Sequence, residues 1–140
     1  MILELKVKLI FNIHEEEDLW EGVIEIDSSS TLEDLHFAIQ DAVDFDNDHM
    51  YEFYISRAER SRKRVIFDDE NEMIYDMSLD RLFPLEARHN LYYMFDYGDS
   101  WLFKLTKTRK IPQHPRKDTE YPRLISESGK KPKQYLAVYG

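Results

Sequence analysis

Four side chains combine useful chemistry with suggestive positions: His36, His49, Asp96 and Asp99. Histidine is the most frequent general acid or base, and a neighbouring carboxylate orients it. His36 and His49 together with Asp46 and Asp48 are a sensible donor group for a divalent cation. Either role requires the side chains to converge in one pocket. Their spacing matches no specific metal motif, so no metal is expected. His36 reads first as a buried histidine held by hydrogen bonds. Asp96 and Asp99 flank Gly98 and read first as acceptors of backbone N–H bonds that shape a turn. Ser100 offers a hydroxyl, but it stands between Asp99 and Trp101, a poor setting for an approaching phosphate. The chain has no P-loop, dinucleotide fingerprint, HExxH or cysteine, so no catalytic residue is assigned and no cofactor is expected.

These side chains must be positioned by regular elements, and hydropathy patterning shows which. Residues 91–105 read as strand, turn and strand: Leu91, Tyr93 and Phe95 share one face, and beyond Gly98 so do Trp101, Phe103 and Leu105. Residues 2–12 alternate as cleanly, with Leu3, Leu5, Val7, Leu9 and Phe11 on one face. Residues 19–26 form a second strand with Trp20, Ile24 and Ile26 on one side, where Gly22 marks a bulge or a close backbone approach. The two are expected to pair as an antiparallel hairpin across the acidic connection 14–18, which reads as a solvated turn. A helix follows, with Ser30 as N-cap, Glu33 completing a capping box, and Leu32, Leu35, His36, Ile39, Ala42 and Val43 on one face. Residues 50–56 and 65–67 read as two more strands, and Ser78 opens a short helix that ends near Pro84. The expected fold is α+β, a mostly antiparallel sheet packed against one main helix. Its element order is β-grasp-like: ββα, then strands, a short helix and a final hairpin.

Between the third and fourth strands lie Arg57, Arg60, Arg62, Lys63 and Arg64, the basic cluster of the body and a candidate contact for a polyanion. The acidic run 68–72 follows it, which favours local charge pairing instead. The aromatic residues Trp20, Tyr54, Tyr92, Tyr97 and Trp101 are candidates for a binding surface, since large rigid rings make good anchors. Core packing is the competing reading, the stronger one for Trp101 and an open one for Tyr54, Tyr92 and Tyr97.

The 140 residues suit a single domain, 1–140. Net charge is −9, but residues 1–103 carry −16 and residues 104–140 carry +7. The bland explanation is a basic tail lying on an acidic body, and the Pro/Lys-rich segment 111–140 is expected to dock there in extended pieces, with Tyr121, Leu124, Ile125, Tyr135, Leu136, Val138 and Tyr139 as apolar anchors. The complete lack of cysteine excludes disulfides and thiolate sites and fits a cytoplasmic setting. Neither a signal peptide nor a membrane span is expected.

Three motifs in order carry a family resemblance: Thr31-Leu32-Glu33-Asp34-Leu35-His36, then Asp48-His49-Met50-Tyr51-Glu52-Phe53, then Tyr93-Met94-Phe95-Asp96-Tyr97-Gly98-Asp99-Ser100-Trp101. From Trp20 to about Pro132 the chain resembles the plasmid Ri ORF-three-like family. The resemblance implies a cytoplasmic α+β domain of unassigned biochemical role, found among plasmids and mobile elements. This chain departs from the family pattern at Phe103, where relatives usually carry histidine, and in the lysine-rich segment 129–135. The functional expectation is a non-enzymatic protein-interaction or accessory module with an unidentified protein partner. A mobile-element-associated nucleic-acid accessory role and a metal-assisted hydrolase-like site at His36, His49, Asp96 and Asp99 stand as alternatives.

Overall fold

The computed structural model describes residues 1–13 and 19–134. The acidic connection 14–18 and the apolar anchors Tyr135, Leu136, Val138 and Tyr139 lie outside the described residues. Seven strands form one antiparallel sheet in the order β4-β3-β5-β6-β1-β2-β7. They are β1 (Ile2–Phe11), β2 (Glu21–Asp27), β3 (Tyr51–Ser56), β4 (Val65–Phe67), β5 (Asn90–Phe95), β6 (Trp101–Lys107) and β7 (Arg123–Ser128). Three helices accompany them: α1 (Leu32–Val43) and the single turns α2 (Met73–Asp76) and α3 (Leu79–Leu82). The class is α+β, mostly sheet with one main helix.

Alternation decides which side of each strand is buried. Leu3 faces Ile26, Leu5 faces Ile24 and Val7 faces Gly22 across the β1–β2 hairpin. Leu9 faces Phe103 and Val7 faces Leu105 across β1–β6. Tyr93 faces Phe103 and Phe95 faces Trp101 across β5–β6. These side chains, with the apolar face of α1, make the main core, and most of them are fully buried. Phe11 departs from its expected face: the register shifts between Leu9 and Phe11, and the ring is exposed. Gly22 marks the close approach, since a Cβ there would stand 2.5 Å from the Trp20 ring.

The opposite face of the sheet has a smaller core of Tyr54, Tyr92 and Leu102, flanked by Ile10 and Met94. Here the loop of residues 57–64 folds over the sheet. Tyr54 Oη donates to the Glu59 carbonyl at 2.8 Å, and the Arg64 guanidinium lies 4.1 Å above the Tyr54 ring.

The N-cap of α1 falls one residue beyond the expected Ser30. Thr31 Oγ1 accepts from Asp34 N–H at 3.2 Å and Asp34 accepts from Thr31 N–H at 2.9 Å, a capping box worth about 1 kcal/mol. Ser30 is taken by tertiary structure, because its carbonyl accepts from Leu79 N–H and Thr31 bridges to Ser78. The sequence reading had no place for α2 or β7. α2 is one turn, too short to show helical periodicity, and it buries only Ile74. β7 is largely exposed, so it lacks alternation in hydropathy; backbone bonds to β2 hold it. Salt bridges add to them. The carboxylate of Glu25, 6 % exposed, accepts from Arg123 Nε at 2.7 Å and meets Arg116 Nη2 at 3.4 Å and Lys110 Nζ at 3.9 Å. The basic segment after β6 thus lies on Glu25 of β2 and, through Lys110, on Glu4 of β1.

Candidate functional site

α1 presents His36 to the sheet, where its ring stacks on Tyr51 with 3.5 Å between centroids and 2° between planes. Its hydrogen bonds form a closed circuit that fixes the tautomer. Gln40 Nε2 donates to Tyr93 Oη at 2.9 Å. That leaves the Tyr93 hydroxyl free to donate to His36 Nδ1, 2.6 Å away. His36 Nε2–H then donates to Asn47 Oδ1, and Asn47 N–H donates to Gln40 Oε1 at 3.0 Å. Every member is satisfied only while the imidazole is neutral, because a proton on Nδ1 would face the Tyr93 hydroxyl hydrogen. Burial agrees with this. It pushes the His36 pKa down to about 4, against a smaller upward push from the Asn47 bond. Burial likewise raises the Tyr93 phenol well above its ordinary value.

His49 stands beside this circuit on the same side of the sheet. Its Nε2 is 3.4 Å from Asp96 Oδ2 and 3.6 Å from Asp48 Oδ1. Asp96, at φ 63°, uses its other oxygen to accept from Gly98 N–H at 3.1 Å and Asp99 N–H at 3.3 Å. The turn-shaping role expected of the two aspartates therefore falls to Asp96; Asp99 joins only through its backbone. His36, His49 and Asp96 gather at one end of the sheet. No group of three or more histidines, aspartates or glutamates that could hold a metal occurs among the described residues.

His36 and His49 both line a cleft of about 600 Å³ between α1, α2 and the start of β3. Phe37 and Tyr75 stand on its walls, 46 % and 45 % exposed. Glu33, Asp48 and Asp69 supply carboxylates. Burial raises the Tyr51 phenol above its ordinary value, and the charges of Glu33 and Asp69 push it further. The field in the cleft is negative.

Burial corrects the aromatic surface expected from sequence. Trp20 and Trp101 are fully buried in the main core, and Tyr54 and Tyr92 lie in the smaller one. Of the five, Tyr97 alone keeps an exposed ring. The basic cluster does form the tip between β3 and β4, with Arg57, Arg60, Arg62 and Lys63 exposed. Pairing with residues 68–72 does not occur among the described residues. Arg64 instead donates to the carbonyls of Ser61 at 2.8 Å and Glu59 at 3.1 Å. Sequence reasoning missed Gln40, Asn47 and Tyr93 of the circuit and Phe37 and Tyr75 of the cleft. Phe37 was the legible one: an aromatic on the polar side of an amphipathic helix.

The architecture defines a class: an α+β protein with one antiparallel sheet, a single long helix, and an aromatic–histidine circuit beneath an acidic cleft. The chain belongs to the plasmid pRiA4b ORF-3-like protein family, whose model matches residues 1–136. Among solved structures, a protein of unknown function from Methanosarcina mazei Go1 is similar, with a TM-score of 0.72 and 22% identity over 90% of this chain and 68% of that one. At that identity the likeness shows the fold alone. No curated protein matches. No helix among the described residues is long and apolar enough to cross a membrane.

Proposed function

We propose that this chain is a non-enzymatic interaction module that seats a cationic side chain, Arg or Lys from a partner protein, in the cleft between α1 and α2. One observation carries the reading: two half-exposed rings, Phe37 and Tyr75, face a cleft also lined by Glu33 and Asp69. Neither carboxylate has a Lys or Arg partner among the described residues. A guanidinium between two such rings gains about 0.5–1 kcal/mol from each, and more where water is excluded. The His36 circuit serves as the floor, since both ring nitrogens are taken by Tyr93 and Asn47. Those bonds favour an interaction module over a hydrolase-like site, which would need a free nitrogen on His36. The acidic lining also disfavours a nucleic-acid backbone at this cleft. A cytoplasmic setting suits the absence of cysteine, and kinship with plasmid-borne proteins suits a mobile-element association. The β-grasp comparison rests on the ββα opening alone.

The test is a titration with the peptide acetyl-Gly-Arg-Gly-amide, followed by amide chemical shifts, against the same peptide with neutral citrulline. Shifts at Glu33, Phe37, Asp69 and Tyr75 that vanish with citrulline support the proposal. Equal responses to both peptides, or none at millimolar concentration, reject it.

A further inference from the structure

A second cleft opens at the other end of β3. It measures about 690 Å³ and lies between the 57–64 loop and the segment that follows α3. Three fixed cations line it, Arg57, Lys63 and Arg64, together with His89, against the single carboxylate of Glu86. Among the described residues, no carboxylate forms a salt bridge with Arg57 or Lys63. His89 donates from Nδ1 to the Ala87 carbonyl at 3.0 Å, which fixes its ring at the edge of the cleft. Arg64 is held by two carbonyls and the Tyr54 ring, so its charge is anchored without being neutralised. The wall is apolar: Ile55, Val65, Leu82 and Leu85. Val65 is 53 % exposed there, so the wall presents apolar surface to the cleft.

We infer that this cleft binds a small amphipathic carboxylate, its head on Arg57 and Lys63 and its apolar body along Val65, Leu82 and Leu85. The volume is in the range of small-molecule sites, and such sites pair an apolar wall with a few placed charges. A guanidinium offers a carboxylate two parallel N–H donors, which a flexible ammonium reinforces. A concave apolar wall favours such a ligand over a nucleic-acid backbone, which would leave Val65 and Leu85 in water. The inference concerns a different cleft and ligand from the proposed peptide site and does not depend on it.

Decanoate, below its micelle concentration, is the probe, with decanol and acetate as comparators. Amide shifts confined to residues 55–65 and 82–89, with decanol and acetate each binding at least about tenfold more weakly, support the inference. The R57Q/K63Q double variant should lose about tenfold in decanoate affinity while keeping its Tm, because both side chains are exposed. Equal binding of decanol, shifts elsewhere in the chain, or unchanged affinity in the double variant would overturn it. So would a DNA duplex that displaces decanoate with a steep salt dependence, which would make the loop a polyanion contact instead.

Discussion

Acid should loosen this fold in a window set by His36. Its imidazole has an ordinary pKa of 6.5 and is pushed down to about 4 in the folded chain. Between those values the unfolded chain holds a proton that the folded chain refuses, so stability rises with pH. The contribution is complete above the unfolded value and falls away as pH drops towards 4. A shift from 6.5 to about 4 amounts to about 3 kcal/mol, most of it lost by about pH 4.5. Two other groups act nearby. Asp27, held below its ordinary value mainly by the Ser29 backbone bond, costs stability only as pH falls through the carboxylate range. Glu52, raised by burial, works in the opposite direction. Urea unfolding of wild type and His36→Phe across pH 7 to 4.5 separates these effects, since both carboxylates remain in the variant. The variant should be weaker at pH 7 by about 1–3 kcal/mol, because the buried Tyr93 hydroxyl loses its acceptor, whereas the exposed Asn47 side chain can turn to water. Its loss on acidification over that range should be smaller by about 2.4 kcal/mol. The His36 Cε1 proton should titrate near 4 in the wild type. Titration near 6.5, or parallel pH profiles for the two proteins, would refute the closed circuit.

Tyr93→Phe removes the hydroxyl that donates to His36 Nδ1 and accepts from Gln40; it should cost about 1–3 kcal/mol and raise the His36 pKa, both readable by NMR and denaturation. Gly22→Ala puts a methyl 2.5 Å from a fully buried Trp20 ring and should cost about 1–3 kcal/mol, seen as a Tm lower by several degrees. Glu25→Gln removes the charge shared by Arg116, Arg123 and Lys110; hydrogen exchange should accelerate in β7 more than in β1 or β6. Added salt should weaken that same clasp in the wild type, and an unchanged β7 exchange rate would show that backbone pairing alone holds the strand.

Local pattern carried most of the sheet. β1, β5 and β6 were readable because alternate residues face opposite sides, and α1 because its apolar residues return with the helical turn. The acidic turn at Gly98 was readable because Asp96 acts on amides two and three residues away. Family membership was legible from three short motifs, each a contiguous run of six to nine residues: the start of α1, the entry to β3, and the turn from β5 to β6.

The partners of those elements were not legible. His36 meets Tyr93 57 positions away, and the circuit closes because α1 and the residues just after it lie against Tyr93 of β5. Tyr54 and Tyr92, open between core and surface in the sequence, are buried on the far side of the sheet, where a loop covers Tyr54, a cover no alternation announces. β7 is drawn into a strand by backbone groups of β2 and a shared glutamate, while its own side chains mostly face water. Periodicity tells a residue which side it faces. What waits on that side depends on strand order and register, which are settled by contacts between distant parts of the chain.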